Sequence, residues 1–386
     1  ANTQIQEPKY KYANSGAATG NYYEDLEKTN QLNADIFGSF NKEVVKDFTI
    51  GAMLGFNYLQ TRLTDVTGST QNGIVIPGYY NLNNSVDKAQ ITTNYSNERL
   101  IGLLGQVNFG YKGLLFGEFT ARNDWSSTLP VGKNGFAYFA GSLSFVPSEF
   151  IKGDAKTWIN YIKLRASAGT SGKAADPYRL KSVFAAAVFG TDYFDNNLPY
   201  QFPVQGLDGS TVSGFTVGNQ IGNPNLKPES TLAYEAGLDL TLLKEYLHVE
   251  YTFYHKTSKD LIVNANLPAS SGYTRQIVNV GKVRNVGHNV LAQVYVLKGI
   301  KGVDWSFRVQ FAKNNSKVLK ANTDEDEIVL GGLTTVSLVA KEGYPFGTFK
   351  ANDFERDPDG NLIVGANGAP VASTTQKYFG SYQPKY

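Results

Sequence analysis

Hydrophobic and polar residues alternate along two neighbouring stretches in the middle of the chain. After a proline-rich turn at residues 223–228, the residues from 231 to 241 point in turn to two faces, and the alternation returns from 247 to 254. The apolar face carries Leu232, Tyr234, Ala236, Leu238 and Leu240 in the first stretch, and Leu247, Val249, Tyr251 and Phe253 in the second. A period of two is typical of β-strands, so the pattern predicts a β-hairpin with a short turn at residues 243–246.

The same unit recurs along the chain. Further alternating strands are predicted at residues 31–40, 48–58, 101–111, 115–121, 136–146, 158–168, 286–297 and 303–314. With the hairpin this makes about ten strands, each close to the length of about ten residues that a tilted strand needs to cross a bilayer.

The connections between these strands alternate between short turns and long polar stretches. Residues 1–29, 60–98 and 169–222 are predicted as loops. A soluble β-sandwich has no reason for this asymmetry, whereas outer-membrane barrels combine short periplasmic turns with long external loops. The sequence therefore predicts an all-β protein, a transmembrane antiparallel up-and-down β-barrel.

Charged residues occupy the face of the strands opposite to the apolar one. They are Glu118, Arg122, Lys163, Arg165, Glu235, Asp239, Glu250 and Arg308. An Arg or Lys that faced lipid at mid-depth would cost about 2–4 kcal/mol, so we expect these side chains to face the lumen. A lumen with this many charges indicates a wide barrel that is not filled by its own side chains.

Composition narrows the class of protein further. The chain has 386 residues, a net charge of +2 and no cysteine, which excludes disulfides and thiolate metal sites. No run of basic residues suggests nucleic-acid binding, and no apolar run reaches the length of about 18 residues that a membrane-spanning helix needs.

Several motifs resemble those of the SusC/RagA-like family of TonB-dependent outer-membrane transporters. They lie at residues 121–127 (ARNDWSS), 164–172 (LRASAGTSG), 223–229 (NPNLKPE), 234–239 (YEAGLD), 254–262 (YHKTSKDLI) and 279–285 (NVGKVRN). The motifs follow the order of the family and cover most of the chain from about residue 100. Lys173 stands where many members have Asn, and His288 where many have Glu, which affects only the assignment to a subfamily.

The resemblance implies a plugged barrel of about 22 strands in the outer membrane of a Bacteroidota-type cell envelope. Residues 1–386 would then be a partial barrel domain, without the plug domain, the N-terminal strands and the last C-terminal strands. The implied function is TonB-dependent active import of an oligosaccharide or oligopeptide. The implied partners are a SusD-like surface lipoprotein, the TonB complex (through the missing N-terminal parts) and the lipid bilayer.

Two alternatives remain open. The first is a passive porin, or a structural barrel, whose loops bind a surface partner. An upstream plug and energy-coupling box would exclude this alternative. The second is a complete ten-strand barrel that ends at Tyr386, although Pro384 would interrupt its last strand.

Aromatic residues in the predicted external loops are candidates for substrate or partner contact. They are Trp125, Tyr178, Tyr193, Phe194, Tyr200 and Phe202. Aromatic rings stack on sugar rings and on apolar peptide side chains, and they often dominate binding energy. The alternative is that these rings pack the loops together, or, for Trp125, that the ring is an anchor at the membrane interface.

No set of residues indicates catalysis. His248, His255 and His288 lie at no metal-ligand spacing, and no nucleophile is paired with a base. The acidic residues 324–327 are predicted as a solvated loop tip, with a divalent-ion site as the weaker alternative. We therefore expect no enzymatic activity, no cofactor and no bound metal.

Overall fold

The computed structural model describes residues 2–6, 20–189, 212–267, 269–300, 302–321, 326–332 and 335–381. The strands of the large sheet are β1 (Asn2–Gln6), β2 (Asn21–Val45), β3 (Phe48–Ile74), β4 (Ser85–Tyr111), β5 (Leu115–Ser126), β6 (Gly135–Phe145), β7 (Ile159–Lys173), β10 (Gln220–Ile221), β11 (Glu229–Leu242), β12 (Leu247–Asn266), β13 (Arg275–Ile300) and β14 (Val303–Lys320). The remaining strands are β8 (Phe184–Phe189), β9 (Val212–Val217), β15 (Glu327–Gly332), β16 (Val336–Lys341), β17 (Thr348–Phe354) and β18 (Ala372–Ser381). One short helix, α1, spans Asp154–Trp158.

In the large sheet, the long strands follow one another in space in their sequence order, and only the short strands β8, β9 and β10 depart from it. The order is β1-β2-β3-β4-β5-β6-β7-β11-β12-β13, with β14 and the short β10 also paired to β13. The pairings β6–β7, β7–β11, β11–β12, β12–β13 and β13–β14 are antiparallel. All ten strands that the sequence predicts are present, in the predicted up-and-down order. None of the described helices has the length and apolar character needed to cross a membrane.

The strands are longer than the sequence predicts. β2, β3 and β13 have 25, 27 and 26 residues. The prediction of a long loop at residues 60–98 is wrong, because β3 continues to Ile74 and β4 begins at Ser85. The loop predicted for residues 1–29 is also wrong in part, since β2 begins at Asn21. Strand pairing depends on backbone hydrogen bonds, which continue where both faces of a strand are polar and the apolar alternation has ended.

The predicted loop at residues 169–222 also contains strands. β7 extends to Lys173, and β8 pairs with β9 in an antiparallel register. β10 adds a two-residue parallel pairing with the start of β13. Short strands of this kind carry too few residues to show a period of two in the sequence.

The chain forms two compact units. The smaller consists of residues 1–37, 55–103 and 124–127. Within it, the buried side chain of Asn84 closes the turn between β3 and β4. Its Oδ1 accepts a hydrogen bond from Ile76 N at 3.0 Å, and its Nδ2 donates to Ile76 O at 2.9 Å and to Tyr79 O at 2.6 Å. The amide thus takes the place of backbone partners that the turn cannot supply.

The larger unit consists of residues 38–54, 104–123 and 128–386. It contains a second antiparallel sheet, β15-β16-β17-β18, which the sequence analysis did not predict. A small core joins this sheet to β13 and β14 and consists of Val283, Val318, Ala321, Ile328 and Ala340. β15 and β16 have only six residues each, so the alternation is too short to identify them.

Candidate functional site

The polar residues of β7, β11 and β12 form one continuous face of the sheet. Directly opposed residues of antiparallel strands share a face, and we call each set of opposed residues a row. The rows of this polar face include Glu235–Ser167–Tyr254, Gly237–Arg165–Thr252 and Asp239–Lys163–Glu250. Ser142 and Ser144 of β6 extend two of these rows, opposite Ser167 and Arg165. The structure therefore brings Glu235, Asp239 and Glu250 together on one face.

Arg165 lies across three strands at the centre of this face. Its Nε is 3.2 Å from Asp239 Oδ1, and its Nη2 donates a hydrogen bond to Thr252 Oγ1 at 2.6 Å. Gly237 lies under the guanidinium, where an added Cβ would come within 2.6 Å of Arg165 Cζ. A glycine at this row therefore allows the arginine to lie flat on the sheet and reach both partners.

Two further side-chain contacts continue the network. Lys256 Nζ is 3.1 Å from Glu235 Oε1, and His248 Nε2 is 2.9 Å from Glu250 Oε1. The other ring nitrogen of His248 is 3.1 Å from Thr241 Oγ1. The side chains of these pairs are one-third to one-half exposed. The polar face is therefore accessible to solvent and is not part of a buried core.

The other charged residues of the sequence analysis lie on the same face. Arg308 of β14 is opposite Gln293, which is opposite His248. The position of Arg122 follows from its neighbour Phe119 on β5. The ring of Phe119 stacks on that of Phe139 on β6, with centroids 6.4 Å apart, so Phe119 lies on the apolar face of the sheet. Arg122 has the opposite parity to Phe119 along β5, so it points to the polar face.

The opposite face of the sheet is apolar and open. The residues that are at least one-third exposed on this face include Leu164, Leu232, Tyr234, Val294, Phe307, Val309 and Phe311. A soluble protein rarely leaves so many large apolar side chains in contact with water, whereas a lipid-facing surface requires them. The two faces thus have the chemistry of the two sides of a barrel wall.

Two of the six aromatic candidates lie in the described part of the chain, and they belong to different units. Trp125 lies at the end of β5 in the smaller unit and is 40% exposed. Tyr178 lies in the larger unit, between β7 and β8, and is exposed with a positive φ of 61°. Tyr193, Phe194, Tyr200 and Phe202 lie outside the residues that the structure describes. A binding role for these rings stays a prediction.

The motif at residues 223–229 has a structural role that the sequence analysis did not find. Leu226 is 2% exposed and packs in a core with Leu129, Ala175 and Ile277. The side chain of Asn279 holds the adjacent backbone. Its Oδ1 accepts from Lys227 N at 2.8 Å, and its Nδ2 donates to Lys227 O at 2.8 Å.

The same junction is closed by two further hydrogen bonds. Asn279 Nδ2 also donates to Asp260 O at 2.9 Å, and Glu229 Oε1 accepts from Ile262 N at 2.9 Å. The motifs at 223–229, 254–262 and 279–285 therefore meet at one place, the entry of the chain into β11. The three motifs have in common that each supplies hydrogen-bonding groups that hold this turn in place.

Of the acidic residues 324–327, the first two lie outside the described residues and Asp326 is exposed, but Glu327 contradicts the prediction of a solvated tip. Its side chain is 4% exposed and its Oε1 lies 2.8 Å from Lys350 Nζ, while Tyr378 OH donates to Oε2 at 2.6 Å. Burial raises the pKa of this carboxyl, but the hydrogen bonds from Lys350 and Tyr378 outweigh burial and leave the pKa below its ordinary value. The prediction failed for Glu327 because β15, the strand that buries it, was not recognised from the sequence.

The part of the chain that the structure describes contains no candidate metal-binding site. No three His, Asp or Glu side chains there are grouped so that they could hold a metal ion. Of the three histidines, His248 contacts Thr241 and Glu250, and His288 Nδ1 is 2.8 Å from the hydroxyl of Tyr251.

Residues 2–377 match the protein family described as "TonB dependent receptor-like, beta-barrel". The chain is similar to the TonB-dependent receptor P26 of Formosa agariphila, with 26% identity over 88% of this chain and 32% of the relative. It is also similar to the TonB-dependent receptor SusC of Bacteroides thetaiotaomicron, with 24% identity over 72% of this chain and 28% of the relative. The chain thus spans about a third of the length of these relatives.

Among solved structures, the RagAB peptide transporter has a chain with the same fold. It superimposes with a TM-score of 0.69 and 17% identity, over 93% of this chain and 39% of that chain. The family match covers nearly the whole sequence, and the strand order and the two faces of the sheet are those of an outer-membrane barrel. The protein is therefore located in the bacterial outer membrane. The chain belongs to the TonB-dependent receptor β-barrel family.

Proposed function

We propose that this chain forms part of the wall of a transporter that imports a nutrient across the outer membrane with energy from TonB. The observation that carries the proposal is that the sheet has two different faces. On β7, β11 and β12 one face is charged and solvent-accessible, and the opposite face is apolar. Relatives named as TonB-dependent receptors support the energy source.

The polar face lines the lumen in this proposal. Arg122, Glu235, Asp239, Glu250 and Arg308 would face water or the plug, because turning the face outward would expose its charges to lipid at about 2–4 kcal/mol for each arginine or lysine. Its ion pairs hold the charges at fixed positions. A wall of paired charges passes polar solutes without binding them tightly, which suits a transport path.

The substrate class that we propose is an oligosaccharide or an oligopeptide, delivered by a SusD-like surface lipoprotein. Support comes from the similarity to a receptor named SusC and from the fold shared with a chain of a complex named as a peptide transporter. Trp125, Tyr178, Tyr193, Phe194, Tyr200 and Phe202 remain the candidate contacts, since aromatic rings suit both sugars and peptides.

Uptake in the native host tests this function. Cells with and without the gene receive labelled oligosaccharide and oligopeptide pools, and internal label is measured with intact TonB, without TonB, and with a protonophore. We expect one pool to enter only when the gene, TonB and the proton gradient are all present. In parallel, the protein is isolated from the outer membrane in mild detergent, and a lipoprotein should co-purify.

A passive porin gives the opposite result. Uptake would then depend on the gene but would persist without TonB and with the protonophore. Uptake that is unaffected by loss of the gene for both pools would contradict the nutrient classes proposed here.

A further inference from the structure

Cations are concentrated at one end of the apolar face of β12, β13 and β14. From the short turns outward, the rows on this face are first apolar: Leu247–Val294–Phe307, Val249–Ala292–Val309 and Tyr251–Val290–Phe311. The following rows are Phe253–His288–Lys313, His255–Val286–Asn315, Thr257–Arg284–Lys317 and Lys259–Lys282–Lys320. Lys313 is the first cation on this face, and the other five Lys and Arg side chains lie in the last two rows.

We call Lys259, Lys282, Arg284, Lys313, Lys317 and Lys320 the basic face. The seven rows contain no Asp or Glu. Within the described part of the chain, no ion pair joins any of the six cations to a carboxylate. All but Arg284, which is half-buried, are exposed. This differs from the polar face, where Arg165 and Lys256 both have carboxylate partners.

The neighbouring strand shows that the charge is local. On β11 the residues level with these four rows are Ser230, Leu232, Tyr234 and Ala236. The ring of Tyr234 lies 6.5 Å from that of His255, so the two strands share this face without a break. The cations therefore do not belong to a ring of charge that surrounds every strand at this level.

We propose that the basic face binds the phosphorylated headgroup of a glycolipid in the outer leaflet of the outer membrane. The same face carries apolar rows directly below the cations, so an occupant of both parts needs acyl chains and a negative headgroup. Rows are spaced by about 6.7 Å along the strands and neighbouring strands by about 4.8 Å, so the six cations are spread over about 20 Å by 10 Å. Basic residues beside a membrane are attracted to anionic lipid phosphates.

The surface lies at the outer end of the strands. β11–β12 and β13–β14 are joined at the other end by the short connections 243–246 and 301–302, which are the periplasmic kind in such barrels. The proposal depends on the membrane position of the chain and not on what the transporter carries, so it fails or holds independently of the proposed function.

The test uses the full-length protein in nanodiscs of neutral phosphatidylcholine that contain either phosphorylated lipid A or the same lipid A after phosphatase treatment. Native mass spectrometry counts the lipid A molecules that stay bound after release from the disc. We expect phosphorylated lipid A to be retained and the dephosphorylated form to be lost. Equal retention of both forms would overturn the proposal, because the acyl chains alone would then account for binding.

Two charge-matched variants locate the site. R284Q/K313Q/K317Q removes three cations of the basic face, and K42Q/K46Q/K152Q removes three exposed lysines at the short-turn end. We expect the first variant to weaken retention of phosphorylated lipid A about 100-fold and the control to leave it unchanged. An equal loss in both variants would assign the effect to net charge. Full displacement of lipid A by millimolar inorganic phosphate would assign the surface to a free anion, and either result refutes the proposal.

Discussion

The side chain of Asn279 should control the local stability of the turn that precedes β11. It makes three hydrogen bonds to the backbone, to Lys227 N, Lys227 O and Asp260 O, at 2.8, 2.8 and 2.9 Å. Each such bond contributes about 1 kcal/mol net, and the site is half-buried, so N279A should destabilise the turn by about 2 to 3 kcal/mol. Opening of the turn would become about 30- to 150-fold more frequent.

Hydrogen exchange measured by mass spectrometry on the full-length protein in nanodiscs checks this value. We expect peptides that cover residues 223–229 to exchange faster by that factor in N279A, and the strand centres of β11 and β12 to be unchanged. N279D keeps the acceptor for Lys227 N but loses both donors, so its effect should be intermediate. Asn289, exposed on the same strand, supplies the control N289A. Unchanged exchange at residues 223–229 in N279A, or equal acceleration in N289A, would refute the assignment.

Three further changes have defined outcomes. Leu226→Ala empties a fully buried position, so we expect about 3 kcal/mol of local destabilisation, read as faster proteolysis of the turn, whereas Leu226→Met should be nearly neutral. A double-mutant cycle of R165M and D239N should give a coupling of about 0.5 to 1 kcal/mol in urea unfolding, because the pair is only half-buried, and a coupling of zero would remove it from the network. Because the pKa of Glu327 is lowered on folding, its contribution to stability is complete above the ordinary value of about 4.3 and is lost as the pH falls through the lowered value. Hydrogen exchange in β15–β18 should therefore accelerate below about pH 4.3 in the wild type and show a weaker pH dependence in E327Q.

The sequence was sufficient for the part of the fold where one face meets lipid and the other meets water. There the apolar and polar residues must alternate, so strands such as β11, β12 and β14 were recognised with their order and their faces. By the strand register, Glu235, Asp239, Glu250 and Arg308 lie on one face of the sheet.

Where both faces are wet or both are buried, this signal is absent. β3 and β4 continue through polar residues because their backbone ladder does not need an apolar side. The sheet β15–β18 is built from short strands whose core is shared with β13 and β14, and no local pattern in the sequence encodes such a contact. For the same reason the buried pairing of Glu327 with Lys350 was not predictable from a run of acidic residues.

The roles of the family motifs also needed the structure. Residues 223–229 and 279–285 were recognised by resemblance, but only their distances show that Asn279 and Leu226 lock a turn. The six cations of the basic face are scattered over three strands in the sequence. They become one surface only through the strand register.

Site-directed spin labelling of β14 tests most directly that this chain is a barrel wall with a lipid face and a water face. The chain has no cysteine, so single cysteines at positions 307 to 311 can be labelled one at a time. In the full-length protein in nanodiscs, relaxation by oxygen reports contact with lipid, and relaxation by a water-soluble nickel chelate reports contact with water. A barrel wall of this kind predicts high oxygen accessibility at 307, 309 and 311 and high chelate accessibility at 308 and 310. Accessibilities that do not alternate, or that alternate with the opposite phase, would contradict it.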